Sequence, residues 1–471
     1  MANDTDHQQP LLPPGWVESD RFVPRAFVRP VLSFMRLEAS GGILMLVAAI
    51  IAIIWANSAY ADSYFGIFES TIEISFGGFH FHHLSELTAQ EWINDAAMVI
   101  FFFVVGLEIK REVTVGELRE PRAAALPALA AVGGMVVPAA IYLAFNLGGE
   151  FAQGWGIPMA TDIAFAVGVV AMVGTRVPVG AKLFLLALAI VDDLGAIAVI
   201  AFVYTDSVSF AWLAGAVVGL LVVVMMNRGG IRAVPAYVAV GALVWLCVLE
   251  SGVHATVAGV ALAFLTPVKS LYSPQRFPGR ARALVDRVEY YIPKDVDDLS
   301  LGDEHTTERV EAVLADLRRL STETVSPQDR LEIALAPWSA YVIVPMFALA
   351  NAGVAISSDA ISGLSTDPVA LGVGLGLLVG KVIGVVAFAW LAVRFGLGRL
   401  PRHTTWRHMT GMGLLAGIGF TVALFVASLA FEVPEAESAA KVGIFAGSIL
   451  SGVIGYVLLR TAPEPDTASR A

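Results

Sequence analysis

Residues 185–199 read LLALAIVDDLGAIAV, with two adjacent carboxylates, Asp192 and Asp193, in the middle of an apolar run over 182–203. A run of that length matches the roughly 20 residues an α-helix needs to cross the hydrocarbon core of a bilayer. A charge at that depth costs about 2.5–3.5 kcal/mol on insertion scales, so a pair of acids in one span must be explained by what the span does. Apolar stretches of about 18 to 25 residues recur along most of the chain. Of its 471 residues 57% are hydrophobic and 15% charged, and the mean hydropathy is +0.73. That is far more apolar than a water-soluble domain. Lipid offers backbone N–H and C=O groups no partner, so the spans read as helices of an all-α polytopic membrane protein.

On either side of 182–203, apolar runs place about twelve spans near 41–60, 92–110, 123–146, 158–175, 182–203, 210–226, 233–249, 252–268, 337–354, 369–394, 409–431 and 440–460. The first thirty residues are polar and contain proline, which does not fit a cleavable signal peptide, so the first run is expected to stay as a span. An even number puts both termini on one side. Basic residues then alternate between connectors as the positive-inside rule demands of a cytoplasmic N-terminus. Arg21, Arg25, Arg29 and Arg36 precede span one, Lys110, Arg111, Arg119 and Arg122 follow span two, and Arg176 and Lys182 join spans four and five. Arg228 and Arg232 come next, Lys269 opens the loop after span eight, and Arg394, Arg399, Arg402 and Arg407 lie between spans ten and eleven. The opposite connectors GGEFAQGWGIP, VYTDSVSF and NAGVAISSDAISGLSTDP contain neither Lys nor Arg.

The expected organisation is a cytoplasmic segment 1–40, spans one to eight over 41–268, a cytoplasmic insertion 269–336, spans nine to twelve over 337–460 and a cytoplasmic tail 461–471. Within the first block, 61–91 lies outside the cytoplasm, and its alternating STIEISFGGFHFHH reads as a small β-hairpin. His80, His82 and His83 there invite a metal reading, but no second ligand cluster accompanies them. The insertion contains TERVEAVLADLRRLSTE, a helix with its charges on one face. The net charge of -11 argues against nucleic acid as a partner. Cys247, alone of its kind, sits in apolar AVGALVWLCVLE as a packing residue, which excludes a disulfide framework.

Besides the aspartate pair, Asp162 in IPMATDIAFAVG and Lys381 in LGLLVGKVIGVV lie near mid-span, and Asp95 in EWINDAAMVIFFF lies nearer an end. A buried salt bridge between one aspartate and Lys381 would hold helices together without transporting anything. One lysine neutralises only one of three mid-span carboxylates, however, so another must be protonated, hydrated or bound to a cation. Adjacent residues point about 100 degrees apart on a helix, so Asp192 and Asp193 can both face the bundle interior toward different neighbours. Hard cations suit such oxygens, and protons compete for the same oxygens; competition at one alternately exposed site is enough for antiport.

Span four opens with Pro158 and has Thr161 before Asp162, while span eleven reads GMGLLAGIGFTVALF, with Gly411, Gly413, Gly417 and Gly419 before Thr421. Such glycines allow close helix packing. They equally allow a helix broken mid-membrane. Two breaks in corresponding positions of inverted repeats would need a carboxylate at the helix N-termini and a cation at the C-termini, which Asp162 and Lys381 provide.

The segments MATDIAFAVGV, LALAIVDDLGAIAVI, WINDAAM, VVGLEIKRE, SGVHATVAGV, FALANAGV, LLVGK and GIGFTVALFVASLAF together resemble the NhaA sodium/proton antiporters of bacteria, in order and over nearly all spans. The resemblance implies a twelve-span inner-membrane protein with inverted repeats and two crossing broken helices, at spans four and eleven. It implies electrogenic exchange of more protons than sodium ions, with lithium accepted, serving sodium and pH homeostasis with no cofactor. Asp192 and Asp193 would be the ion and proton carriers and hold Na⁺, with Asp162, Thr161, Lys381, Asp95 and Thr421 supporting them. Activation at alkaline pH would rest on Glu108, Arg111 and Glu112 in GLEIKRE, with His254 a further matching residue. A homodimer through the hairpin is implied in the same way. The chain departs from the family at 269–336, where a short basic loop is common, and at Ala336 in LAPWSAY, where a histidine is common.

Three rivals remain against this reading. Intramembrane aspartyl proteases also carry paired aspartates, and Pro127-Ala128-Leu129 matches a tripeptide of theirs, but none of Asp162, Asp192 and Asp193 stands in a Gly-x-Gly-Asp context. A cation channel rarely needs a lysine among its carboxylates. A sodium-coupled symporter of related fold would need a roomier polar pocket than the Gly-rich apolar lining suggests.

Overall fold

A computed structural model describes residues 40–72, 87–205, 208–231, 234–292, 304–355 and 366–463. Their regular elements are helical. We label them α1 Ser40–Ala56, α2 Ala61–Phe68, α3 Ala89–Thr114, α4 Pro121–Asn146, α5 Ile163–Val173, α6 Val179–Val203, α7 Phe210–Arg228, α8 Val234–Glu250 and α9 Thr256–Leu265. After these come α10 Phe277–Tyr291, α11 Glu304–Thr324, α12 Pro327–Asn351, α13 Pro368–Arg394, α14 Trp406–Ala416, α15 Phe420–Ala430 and α16 Pro434–Arg460. A 3₁₀ segment, Ala152–Met159, precedes α5.

Eight segments of the described residues are long and apolar enough to cross a membrane, and up to ten if the bent pairs α1/α2 (117°) and α14/α15 (44°) each count as one. The runs expected at 233–249 and 252–268 are the shorter helices α8, with 17 residues, and α9, with 10. The helix expected from TERVEAVLADLRRLSTE is α11, and a second helix, α10, packs against it. The expected hairpin falls mainly on 73–86, outside the described residues. Its flanks meet in an antiparallel bridge between Thr71 and Thr88, with the Ile72 amide donating to the Leu87 carbonyl at 3.0 Å. His80, His82 and His83 lie in that same outside stretch.

The chain divides into two units: one holds the described residues up to Tyr64, Arg122–Ala196 and those from Ala348 onward, the other Phe65–Pro121 and Ile197–Phe347. Large apolar side chains such as Ile54, Met225, Val238 and Val453 are exposed, while Asp162, Asp192 and Lys381 are buried. A water-soluble protein shows the reverse, and lipid as the outer solvent accounts for it.

In the first unit, α4 and α13 touch backbone to backbone. A Cβ on Gly384 would stand 2.0 Å from the Gly133 carbonyl oxygen, and one on Gly380 2.8 Å from the Pro138 Cα. Only glycine permits that approach. The turn before Lys381, Gly376–Gly380, is π-helical, an inserted-residue geometry that re-aims the side chains downstream of it. The Lys381 stem then runs close beside Gly134, whose added Cβ would lie 3.7 Å from the lysine Cδ.

Candidate functional site

Two interrupted spans meet in the first unit. Between the 3₁₀ segment and α5 the chain is extended through Ala160 and Asp162 (φ -91°, ψ 100°), and between α14 and α15 it opens at Gly417–Gly419. Pro158, lacking an amide hydrogen, cannot donate an α-helical bond back into the turn before it, and that turn is 3₁₀. At the second, a Cβ on Gly417 would meet the Leu377 carbonyl oxygen at 2.3 Å. The breaks bond to each other: the Asp162 amide donates to the Ile418 carbonyl at 2.6 Å, and the Thr161 hydroxyl donates to the Ala416 carbonyl at 2.8 Å.

Asp162 serves two helix N-termini at once. Its Oδ1 accepts from the Phe165 amide at 3.2 Å in the first turn of α5. Its Oδ2 accepts from the Thr421 amide at 3.1 Å and the Thr421 hydroxyl at 2.5 Å, at the start of α15. Helix N-termini carry orphan N–H groups and partial positive charge, so one carboxylate satisfies donors and dipole at both ends.

Lys381 answers from the other side. Its Nζ donates to Asp192 Oδ2 at 2.7 Å and to Thr161 Oγ1 at 3.0 Å. Through Thr161 the ammonium sits one hydroxyl away from the Ala416 carbonyl at the C-terminal end of α14, where positive charge is favourable. Lys381 and Asp192 have 0% of their side chains exposed. Asp192 Oδ1 has no hydrogen-bond partner among the described residues, unlike the oxygens of Asp162. Asp193, next along α6, is 6% exposed. Among the described residues no three His, Cys, Asp or Glu side chains gather to hold a metal ion. A cation at the aspartate pair would therefore complete its shell with hydroxyl, carbonyl or water oxygens.

The first unit thus brings together Thr161, Asp162, Asp192, Lys381 and Thr421, with Asp193 adjacent to Asp192 in sequence. The remaining predicted residues lie in the second unit. Asp95 occupies a π-helical turn, Ile93–Ala97, whose Asp95 carbonyl accepts from the Trp245 indole at 2.9 Å. Arg111 pairs with Glu332 at 3.0 Å, and Glu108 has Glu332, Glu112 and Arg111 as charged neighbours. His254 contacts the Tyr204 carbonyl through Nε2. Sequence reasoning missed Glu332 and Gln328, whose side chain donates to the Leu107 carbonyl at 2.7 Å. Both lie in the first turns of α12, in a stretch read as the end of the polar insertion, where a polar residue gives no signal.

A family model described as Na⁺/H⁺ antiporter 1 matches residues 32–459. The chain belongs to that family. It is 46% identical over 443 residues to the Na⁺/H⁺ antiporter NhaA of Oleidesulfovibrio alaskensis, which covers 93% of this chain and 96% of that one. It is 43% identical over 474 residues to Na⁺/H⁺ antiporter NhaA 2 of Myxococcus xanthus, covering 99% and 97%, and 43% identical over 440 residues to NhaA of Rhodopirellula baltica, covering 93% and 96%. The family expected from the quoted motifs is the family found. This Na⁺/H⁺ antiporter 1 member is a multi-pass membrane protein, and its apolar helices and near full-length relatives agree on that.

Proposed function

We propose that this antiporter exchanges cytoplasmic Na⁺, or Li⁺, for external H⁺ at Asp192 and Asp193, electrogenically and under pH control. One observation carries the reading: a fully buried Lys381–Asp192 pair lies against the crossing of two broken spans, with one Asp192 oxygen left without a hydrogen bond. Asp162 has its oxygens occupied by helix ends and so supports the crossing. Asp192, with its Oδ1 open, is the carboxylate that meets an ion, and Asp193 follows it along α6.

A Na⁺ ion arriving at Asp192 meets the Lys381 ammonium 2.7 Å from the same carboxylate. Two cations on one carboxylate repel strongly where the dielectric is low. The balance is restored if Lys381 gives up a proton as the ion binds, and Asp193 gives up a second to become a ligand. Two protons then leave for one Na⁺ entering, which is the electrogenic ratio. Alternate exposure of the site to the two sides turns this competition into exchange.

The eight long segments, two bent pairs and shorter α8 and α9 would make twelve spans, in two inverted repeats that place the broken spans opposite each other. The termini would be cytoplasmic and the protein would sit in the bacterial inner membrane, as a homodimer joined through 61–91. Asp95 would support the site from α3. Glu108, Arg111 and Glu112, with His254, would set the pH response. The channel and symporter readings draw no support from relatives whose names are those of antiporters, and no enzymatic step is proposed.

The test is radiolabelled sodium uptake into proteoliposomes driven by an imposed proton gradient. Wild type takes up sodium faster when a membrane potential of the favourable sign is added, and Asp192→Asn takes up none. Uptake that ignores the proton gradient would overturn exchange, and uptake that ignores the potential would overturn the two-for-one ratio.

A further inference from the structure

The insertion after α9 carries a feature that ion exchange at Asp192 does not use. Between α10 and α11 lies a hollow of about 290 Å³, lined by Tyr272, Arg280, Arg287, Asp316 and Arg319 among others. Arg280 and Arg287 are two helical turns apart and so share one face of α10. Arg319 reaches the same hollow from α11, and the Arg280 guanidinium lies 5.1 Å from the centre of the Tyr272 ring.

Three arginines lining one concavity repel each other, and the usual remedy is an acid for each. Elsewhere in the same unit that remedy is applied: Arg330 has Glu323 at 3.8 Å and Arg111 has Glu332 at 3.0 Å. None of Arg280, Arg287 and Arg319 is in an ion pair among the described residues, and a lone carboxylate, Asp316, shares their hollow. Acids are not scarce, since the chain has 41 Asp and Glu against 30 Lys and Arg. The hollow therefore has a surplus of positive charge along its walls.

We propose that this hollow binds a phosphate ester carrying hydroxyl groups. Guanidinium forks match phosphate oxygens in two-bonded geometry and remain charged at all working pH values. Asp316 accepts hydrogen bonds from hydroxyls, which a bare anion lacks. The Tyr272 ring and Leu284 give the ester carbons an apolar floor. The volume is near the lower end of ligand pockets, roughly 300–1,000 Å³, and suits a glycerol phosphate rather than a dinucleotide. Such a group arrives either as a free metabolite or as the headgroup of an anionic phospholipid. The hollow connects to α3 only through intervening elements: the Leu271 and Tyr272 amides donate to the Glu323 carbonyl, and the next helix, α12, carries Gln328 and Glu332 to Leu107 and Arg111.

The experiment uses the full-length protein, with glycerol 3-phosphate titrated in detergent and with nanodiscs of phosphatidylglycerol or phosphatidylcholine followed by native mass spectrometry. The variant is Arg280→Gln/Arg287→Gln/Arg319→Gln. The control is Arg282→Gln/Arg318→Gln, which removes arginines of the same two helices that do not line the hollow. All five side chains are exposed, so both variants should fold as wild type, which tryptophan-monitored unfolding checks. Each lost charge-assisted bond should weaken binding on the order of tenfold. Affinity for free glycerol phosphate that disappears in the triple variant but not the control supports a soluble ligand. Retention of phosphatidylglycerol alone, lost in the same pattern, supports a lipid headgroup. If wild type binds neither, or if triple variant and control bind equally, the proposal is wrong.

Discussion

Replacing Lys381 by methionine keeps the stem volume and removes the charge that Asp192 faces. Asp192 would then be a buried carboxylate with neither oxygen bonded by Lys381, since Oδ1 has no hydrogen-bond partner among the described residues and Oδ2 takes the 2.7 Å contact. Breaking one side of a buried pair costs about 3–5 kcal/mol. Asp192→Asn should cost a similar amount, because it leaves the ammonium uncompensated. The double variant Lys381→Met/Asp192→Asn buries no charge and loses only the bonds of an amide, about 1–3 kcal/mol. The two single costs therefore should not add, and the coupling between them should reach about 3 kcal/mol or more. Reversible unfolding in mixed micelles, followed by the fluorescence of the chain's 9 tryptophans, measures all four proteins. The deficit of Lys381→Met should be largest at alkaline pH, where the lone carboxylate is charged, and should shrink as acid neutralises it. Single costs that sum to the double within about 0.5 kcal/mol would refute a direct pair and the exchange mechanism built on it.

Asp162→Ala removes acceptors from two helix N-termini, each worth about 0.5–2 kcal/mol, and transport in vesicles should fall with it; Thr421→Val, which removes one of the bonds, should cost about 1 kcal/mol. Gly384→Ala drives a methyl into the Gly133 carbonyl and should destabilise by about 1–3 kcal/mol, whereas Gly66→Ala, with nothing within 4 Å of the new methyl, should be neutral or stabilising in thermal unfolding. Arg111→Ala loses an ion pair whose arginine is 55% exposed, so stability should change by less than about 1 kcal/mol. The pH profile of exchange should nevertheless move, and an unmoved profile would remove Arg111 from regulation.

The charged residues of the site were legible because each interrupts an apolar run. Lys381 had three possible aspartate partners in the sequence, and only the fold singles out Asp192, through the π-helical turn and the Gly384–Gly133 contact that aim the lysine. The glycines carried two meanings that a sequence cannot separate: Gly384 serves close packing, while Gly417 and Gly419 open a helix. Backbone carbonyls such as those of Ala416 and Ile418 leave no trace in residue identity, so the bonds between the two breaks were invisible. The 117° bend between α1 and α2 falls at the expected end of span one, but helix α2 itself was not expected in a segment read as a hairpin. In the insertion, α11 announced itself by its charged face. Helix α10 did not, because its opening Phe277-Pro278-Gly279 reads as a turn.

The most direct test of the account is the collapse of a preformed pH gradient by added sodium in proteoliposomes, measured from neutral to alkaline pH for wild type and Asp193→Asn. Exchange through the paired aspartates predicts that sodium collapses the gradient for wild type and leaves it standing for the variant. A gradient that survives sodium with wild type while sodium still crosses, or one that collapses equally with the variant, would contradict it.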